Sequence, residues 1–89
     1  MAELQVELVA ADRMVWEGTA TMVSARGVEG DLGIMAGHSP IMTILADGEI
    51  RIISDGDPQT AHVSGGFMTV DSDRVVIVAE HVETAAKRS

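Results

Sequence analysis

Cysteine is absent from the 89-residue sequence, so neither disulfide bonds nor thiolate-ligated metal ions can supplement its core. Aromatic residues are scarce too, with one tryptophan, one phenylalanine and no tyrosine. Sites that stack sugars or planar rings rely on aromatic side chains, so this composition disfavours them. The core must be filled by aliphatic side chains and by methionine, whose flexible thioether packs into uneven gaps. A chain of this length predicts one small domain.

Basic residues are few, with 6 lysines and arginines against 14 acidic residues and a formal charge of −8. Such scattered cations cannot form the basic stripe that nucleic acid requires, and the negative charge opposes anionic lipid. Long apolar runs are missing as well, since none approaches the ~20 residues that cross a bilayer. The acidic start of the chain is unlike a signal peptide. These features predict a soluble, unexported protein whose partner is another protein.

Alternating apolar and polar residues predict strands along most of the chain. The first, at residues 3–9, places Leu4, Val6 and Leu8 on one face. Further strands are predicted at 14–16, 19–25, 41–46, 49–54, 59–64, 66–70 and 74–79. A bulge or tight bend is predicted at Gly18, and a type I′ hairpin is predicted at Asp47-Gly48. The spacing predicts an all-β fold, a flattened β-sandwich of about eight to ten short strands.

The stretch from Glu29 to Leu45 predicts two short strands joined by a bend of fixed shape. Three glycines in it, Gly30, Gly33 and Gly37, allow backbone angles that other residues avoid. Pro40 fixes its own φ and pushes the preceding residue towards extended geometry. These four residues are therefore predicted to shape the loop, either as a structural corner or as a contact surface.

The same bend presents a carboxylate, an imidazole and a hydroxyl in Asp31, His38 and Ser39, the groups of a hydrolytic triad. Adjacent residues on an extended chain point to opposite sides, so His38 is badly placed to activate Ser39. No Gly-x-Ser-x-Gly motif occurs either. The sequence therefore predicts no catalytic residues.

Other ligand chemistries are also disfavoured. The glycines lack the Gly-Lys-Ser/Thr ending of a phosphate-binding loop, and a strand follows them. The histidines at 38, 62 and 81 lack the short spacings of a zinc site. The aspartate pairs at 55/57 and 71/73 lack the remainder of a calcium-binding loop and are typical of turns. The sequence thus predicts no nucleotide, metal or cofactor site.

Three blocks of the sequence resemble one known family, the epsilon subunits of F-type ATP synthases. The bend is similar to the family signature Gly-[Glu/Asp]-[Ile/Leu]-Gly-Ile-x-x-Gly-His-x-Pro. The matching positions are Gly30, Asp31, Leu32, Gly33, Ile34, Gly37, His38 and Pro40. The blocks Asp12 to Gly18 and Gly65 to Phe67 follow the same family in order and spacing. The resemblance implies a β-sandwich of ten strands.

By this resemblance the chain is a non-catalytic rotor subunit that links the gamma subunit to the c-ring and couples proton flow to ATP synthesis. It implies a peripheral location on the cytoplasmic face of the cell membrane. Glu29 and Asp31 match positions that face the c-ring loops, which carry a basic residue in the family. The positions that match the gamma-facing side are Ala10, His38, Met42 and Thr43.

The end of the sequence departs from the family pattern. Most epsilon subunits continue into two C-terminal helices that can obstruct ATP hydrolysis, and nucleotide binding in the family draws on those helices. Here residues 3–80 are predicted to form the sandwich and 81–89 a short tail, helical or frayed. The chain is therefore expected to couple proton flow without inhibiting hydrolysis through such helices.

Two alternative functions follow from the composition. A biotinyl or lipoyl carrier domain is also a small acidic β-sandwich, but it needs a lysine at a hairpin tip, and Lys87 is the only lysine. The other alternative is a free-standing β-sandwich that binds a ligand at the rim of the bend, which the low aromatic content disfavours.

Overall fold

The computed structural model describes residues 3–54 and 57–84, and strands account for most of them. The strands are β1 (Leu4–Ala10), β2 (Arg13–Ala20), β3 (Met22–Gly27), β4 (Gly30–Met35), β5 (Ile41–Leu45), β6 (Gly48–Ser54), β7 (Asp57–Asp71) and β8 (Arg74–Thr84). Within the described residues there is no helix with the length and apolar character to cross a membrane.

Hydrogen-bond pairing arranges the strands in two layers. The first has the order β2-β1-β8-β7-β5, in which β1 and β8 are parallel and the other neighbours antiparallel. The second has the order β4-β3-β6-β7-β8. The long strands β7 and β8 pass through both layers, so each layer contains five strand segments. This arrangement confirms the predicted β-sandwich and explains why both eight and ten strands are reasonable counts.

Gly65 marks the point where β7 passes from one layer to the other. Before it, Ala61 and Val63 face the core, whereas after it Met68 and Val70 do. Side chains alternate along a strand, so this change of buried face requires a local change in the backbone. Gly65 provides it with a φ of 64°, which glycine adopts at little cost. The pieces predicted on either side of this glycine are thus parts of one strand.

The core between the layers is apolar, and none of the described polar or charged side chains is buried. The largest fully buried side chains are Leu4, Leu8, Ile34, Ile50, Met68 and Ile77. Aliphatic residues and one methionine therefore fill the core, as the composition predicts. Each such side chain contributes about 1.5–3 kcal/mol when it is fully buried.

The turns correct one prediction of the sequence. Neither Asp47 nor Gly48 has a positive φ, and they do not form a hairpin, because β5 and β6 pair with successive parts of β7 rather than with each other. The two-residue turn with positive φ is Ser72-Asp73, which joins β7 to β8 with φ values of 51° and 61°. Aspartate tolerates this conformation because its short polar side chain bonds nearby backbone.

A second correction concerns Gly18. Strand β2 runs through this glycine without interruption. The extra residue is Val15, because Trp16 pairs with Leu8 while Met14 pairs with Val9. Gly18 instead lies beneath the indole of Trp16, where an added Cβ would be 2.9 Å from the ring. The glycine therefore leaves room for the tryptophan ring and does not mark a bend.

The end of the described chain also differs from the prediction. The residues from Glu80 to Thr84 continue β8 and are neither helical nor frayed. Val82 holds this segment to the core, since it is buried and pairs with the buried Val63. The rest of the predicted tail, residues 85–89, lies outside the described residues.

Candidate protein-interaction surface

A row of apolar side chains crosses the outer face of the β2-β1-β8-β7-β5 layer. Residues that pair directly across strands point to the same face, so the pairing register defines the row. The row, called here the apolar band, consists of Ile44, Phe67, Val78, Val9 and Met14. Its two ends are 52% and 49% exposed, and its three central residues are half-buried. Five adjacent strands make the band about 20 Å long.

Two further exposed side chains adjoin the end of the apolar band at Ile44. Val28, in the turn between β3 and β4, is 60% exposed, and its backbone N–H donates to the carbonyl oxygen of Ile44 at 3.0 Å. Met42 is 66% exposed and lies two residues before Ile44 on the same face of β5. An apolar outer face of this extent is typical of a surface that another molecule covers.

The apolar band arises because several strands are apolar at both alternating positions. In β8, Ile77 points to the core and Val78 points outward, and in β1 the same is true of Leu8 and Val9. A strand with one solvated face would alternate apolar and polar residues. The sequence reasoning missed this surface, although the unbroken apolar run at residues 75–79 was the available signal.

Acidic residues flank the apolar band along its β1 and β2 side. The neighbouring row pairs Met42 with Thr69, Thr69 with Val76, Val76 with Glu7 and Glu7 with Glu17. Glu7 also forms an ion pair with Arg74, in which Nη1 and Oε2 are 3.5 Å apart. The outer face of β1 therefore changes from apolar at Val9 to acidic at Glu7, two residues away.

The opposite outer face of the sandwich is charged instead. There Arg26 pairs across strands with Asp31, and His62 lies between Glu49 on β6 and Glu83 on β8. This polar composition is typical of a solvated face. The two faces of the molecule thus differ in kind, and the apolar one is the stronger candidate for a permanent partner.

The structure separates the residues that were matched to the gamma-facing side. Ala10 is only 4% exposed, so its side chain belongs to the core. Thr43 and Met42 point to opposite faces of β5, because Thr43 lies in the core-facing row beside the buried Met68. His38 is half-buried in the bend between β4 and β5. Among the four, Met42 is the one whose side chain shares the face of the apolar band.

The predicted c-ring-facing acids both lie at the hairpin of β3 and β4. Glu29 is exposed in the turn, directly after Val28 at the end of the apolar band. Asp31 is the second residue of β4, and its Oδ1 accepts from Nε of Arg26 at 3.4 Å. Both side chains of this pair are largely exposed, so the ion pair contributes about 0–1 kcal/mol to stability. Asp31 therefore remains available for a partner.

The four residues predicted to shape the loop have different roles. Gly30 and Gly37 have φ values of 137° and 89°, which L-residues rarely adopt. Gly33 has no positive φ; it lies within β4, where an added Cβ would be 3.3 Å from Cε of Met22. Pro40 is exposed immediately before β5.

The bend does not assemble a hydrolytic triad. Nδ1 of His38 lies 2.6 Å from the backbone carbonyl oxygen of Ser39, and Asp31 is paired with Arg26. His62 and His81 line a separate cleft of about 660 Å³, and His38 does not. No group of three or more potential metal ligands is found in residues 3–54 and 57–84.

Comparisons with known proteins give consistent matches along the chain. The sequence profile described as "ATP synthase, Delta/Epsilon chain, beta-sandwich domain" matches residues 3–85. The ATP synthase epsilon chain of Micrococcus luteus is 51% identical over 80 residues, which cover 89% of this chain and 88% of the relative. The ATP synthase epsilon chain of Streptomyces avermitilis is 48% identical over 85 residues, which cover 94% of this chain and 68% of the relative.

Solved structures with the same fold come from two mitochondrial complexes. A chain of the Euglena gracilis mitochondrial ATP synthase, OSCP/F1/c-ring, superimposes with a TM-score of 0.89 at 24% identity over 94% of this chain. A chain of the Tetrahymena thermophila mitochondrial ATP synthase central stalk and c-ring superimposes with a TM-score of 0.75 at 15% identity over 89% of this chain. The present chain spans 54% and 64% of those two chains.

Proposed function

The chain belongs to the family of ATP synthase delta/epsilon chain β-sandwich domains, and we propose that it acts as an epsilon-type subunit of a proton-translocating ATP synthase. In this role it is a non-catalytic part of the central stalk that joins the gamma subunit to the c-ring. It is located at the cytoplasmic face of the membrane through these partners. Relatives at about half sequence identity that are named epsilon chains support this proposal.

The apolar band is the observation that carries the proposal. A rotor subunit needs no reactive group, but it needs a rigid body with a surface that stays covered. The band, with Met42 beside it, provides such a surface for the gamma subunit. Two acidic residues of the neighbouring row, Glu7 and Glu17, favour a partner surface that is apolar in the centre and basic at one margin.

The c-ring contact is proposed at the hairpin of β3 and β4. Val28 adjoins the end of the apolar band, and the next residue, Glu29, begins an exposed acidic tip that includes Asp31. This continuity allows one rigid domain to contact two partners at once. Carboxylates at the tip suit the basic residue that c-ring loops carry in the resembling family.

The direct test is isolation of the ATP synthase from native membranes with a tag on this chain. We expect the gamma subunit and the c-ring to co-purify with the tagged chain, and proton-driven ATP synthesis to fall when the chain is removed. Recovery of the chain without gamma under conditions that keep the rest of the enzyme intact would contradict the proposal.

Charge reversal by Asp31→Arg should reduce proton-driven ATP synthesis in reconstituted vesicles while the domain stays folded. Placing a cation against a basic loop costs several kcal/mol of contact energy, whereas loss of an exposed ion pair costs about 0–1 kcal/mol of stability. Glu3→Arg is the matched control, because Glu3 is an exposed acid that precedes β1. Equal loss of synthesis in both variants, or unfolding of Asp31→Arg alone, would argue against a specific role for Asp31.

A further inference from the structure

The bend between β4 and β5 spans residues 36–40, and its ends are held by two different ladders, since Met35 pairs with Met22 and Ile41 pairs with Val70. Strands β4 and β5 do not pair with each other, since β4 pairs with β3 and β5 pairs mainly with β7. Within the bend, the N–H of His38 donates to the carbonyl oxygen of Met35 at 3.1 Å. This bond closes the curve of the chain within the bend.

One side chain from a distant turn ties the bend to the domain. The N–H of Gly37 donates to Oδ1 of Asp73 at 2.7 Å, across 36 residues of sequence. A short hydrogen bond to a carboxylate is stronger than one between neutral groups. Asp73 itself is held in place, because the N–H of Gln5 donates to its backbone carbonyl oxygen at 2.8 Å. Asp73 thus connects the bend, the start of β1 and the β7–β8 turn.

The conformation of Asp73 allows this contact. Its φ of 61° places it in the left-handed region, as the second residue of the turn between β7 and β8. Asparagine and glycine also adopt this region readily, so both can replace Asp73 without distorting the turn. They differ in one respect, because asparagine retains an oxygen that can accept the hydrogen bond and glycine does not.

We propose that Asp73 is a positioning residue for the partner-binding surface, in that its carboxylate holds the bend that leads into β5. This inference rests on the proposed function, since the surface in question is the one assigned to the gamma subunit. Met42 lies near the start of β5, two residues after the bend, whereas Ile44 is held further along the ladder between β5 and β7. A bend that leaves its position lowers the fraction of molecules with a complete surface, and the apparent affinity falls in proportion.

The test compares Asp73→Gly, Asp73→Asn and Ser72→Gly. Ser72→Gly is the matched control, because Ser72 has a φ of 51° in the same turn and its Oγ donates to Asp71 at 3.2 Å and not to the bend. Two quantities are measured: the chemical shift of the Gly37 amide proton and the dissociation constant for the purified gamma subunit.

We expect Asp73→Gly to move the Gly37 amide proton upfield and to weaken gamma binding about tenfold, which corresponds to about 1.4 kcal/mol. Asp73→Asn should retain most of both properties, and Ser72→Gly should retain both. The proposal is overturned if Asp73→Gly resembles Ser72→Gly, or if Asp73→Asn loses as much affinity as Asp73→Gly.

A general loss of stability is distinguished with Ile50→Ala, a truncation of a buried side chain on β6, which pairs with β3 and β7 and not with β4 or β5. If this variant, matched in urea midpoint to Asp73→Gly, lost as much affinity for gamma, positioning would be refuted. Absence of gamma binding by the unmodified chain would contradict the proposed function. The chemical shift of Gly37 would still decide whether Asp73 holds the bend.

Discussion

Replacing Gly66 with alanine should lower the free energy of unfolding by about 3 kcal/mol or more, the upper range for forced overpacking. An added Cβ at this position would clash with the carbonyl oxygen of Val78 and lie 2.8 Å from Cα of Ala79. Both atoms belong to the backbone of β8, so no side-chain rotation can relieve the contact. A loss of this size is a large part of the stability of a domain this small.

The cost follows from the position of Gly66 beside the crossing between layers. Gly66 pairs with Ala79 on β8 and with Leu45 on β5. Moving β7 away from β8 to accommodate a methyl group would weaken the ladder at the centre of the first layer. Gly66, the residue after the glycine at which β7 changes layers, therefore cannot be replaced by alanine without a loss of stability.

Urea unfolding of Gly66→Ala and Gly48→Ala provides the measurement. Gly48 also begins a strand segment, but an added Cβ there would meet only the side chain of Arg26 at 3.7 Å, an ordinary contact distance. We expect Gly48→Ala to unfold near the midpoint of the unmodified chain. Similar midpoints for the two variants would show that the backbone at Gly66 yields easily and would contradict the close-packing argument.

Placing a charge in the apolar band by Val78→Glu should weaken binding to the gamma subunit by about 100-fold, which equals about 2.7 kcal/mol. Val78 is the central residue of the band, between Phe67 and Val9. A partner that covers the band would bury the new carboxylate without a counter-ion, and an unpaired buried charge is costly. In the isolated domain the side chain points outward and reaches water, so folding should change little.

Thr60→Glu is the control for this experiment, since Thr60 is a half-buried strand residue on the opposite, charged face. Gamma affinity is measured by titration calorimetry, and the unfolding midpoint of each variant is measured in parallel. We expect both variants to remain folded and only Val78→Glu to lose affinity. Equal losses of affinity, or normal binding by Val78→Glu, would exclude the apolar band as the gamma-binding surface.

The family was predicted from three short blocks, and the comparisons along residues 3–85 confirm it. The blocks are informative because they contain positions at which the local backbone conformation requires a particular residue type. Gly37 in the bend has a positive φ, and Gly65 has one where β7 changes layers. Such backbone requirements are local to the chain, which is why residue types alone indicate them.

The proposed interaction surface could not be predicted in the same way. The motif match placed Ala10, Met42 and Thr43 on one side, but adjacent residues of a strand point to opposite faces. Ala10 is buried and Thr43 faces the core, whereas Phe67 and Val78, which no motif singled out as contacts, are central to the apolar band. Their proximity depends on pairing between strands, which a motif does not describe.

The hairpin expected at Asp47-Gly48 failed for a related reason. The dipeptide is favourable for a tight turn, but a hairpin also requires the two flanking strands to pair with each other. Here β7 offers an edge long enough for β5 and β6 in succession. The competing long-range pairing determined the outcome, and the tight turn formed instead at Ser72-Asp73.

The sequence by itself determined the strand content, the aliphatic core, the positive-φ glycines at 30 and 37, and the family. These properties depend on alternation along one strand or on the backbone needs of single residues. Only the tertiary structure decided which strands are neighbours, including the parallel pair of β1 and β8 that places Val9 beside Val78. Alternation assigns each side chain to a face but carries no information about the strand beside it, and so the apolar band and the bond between Asp73 and Gly37 exist only in the folded chain.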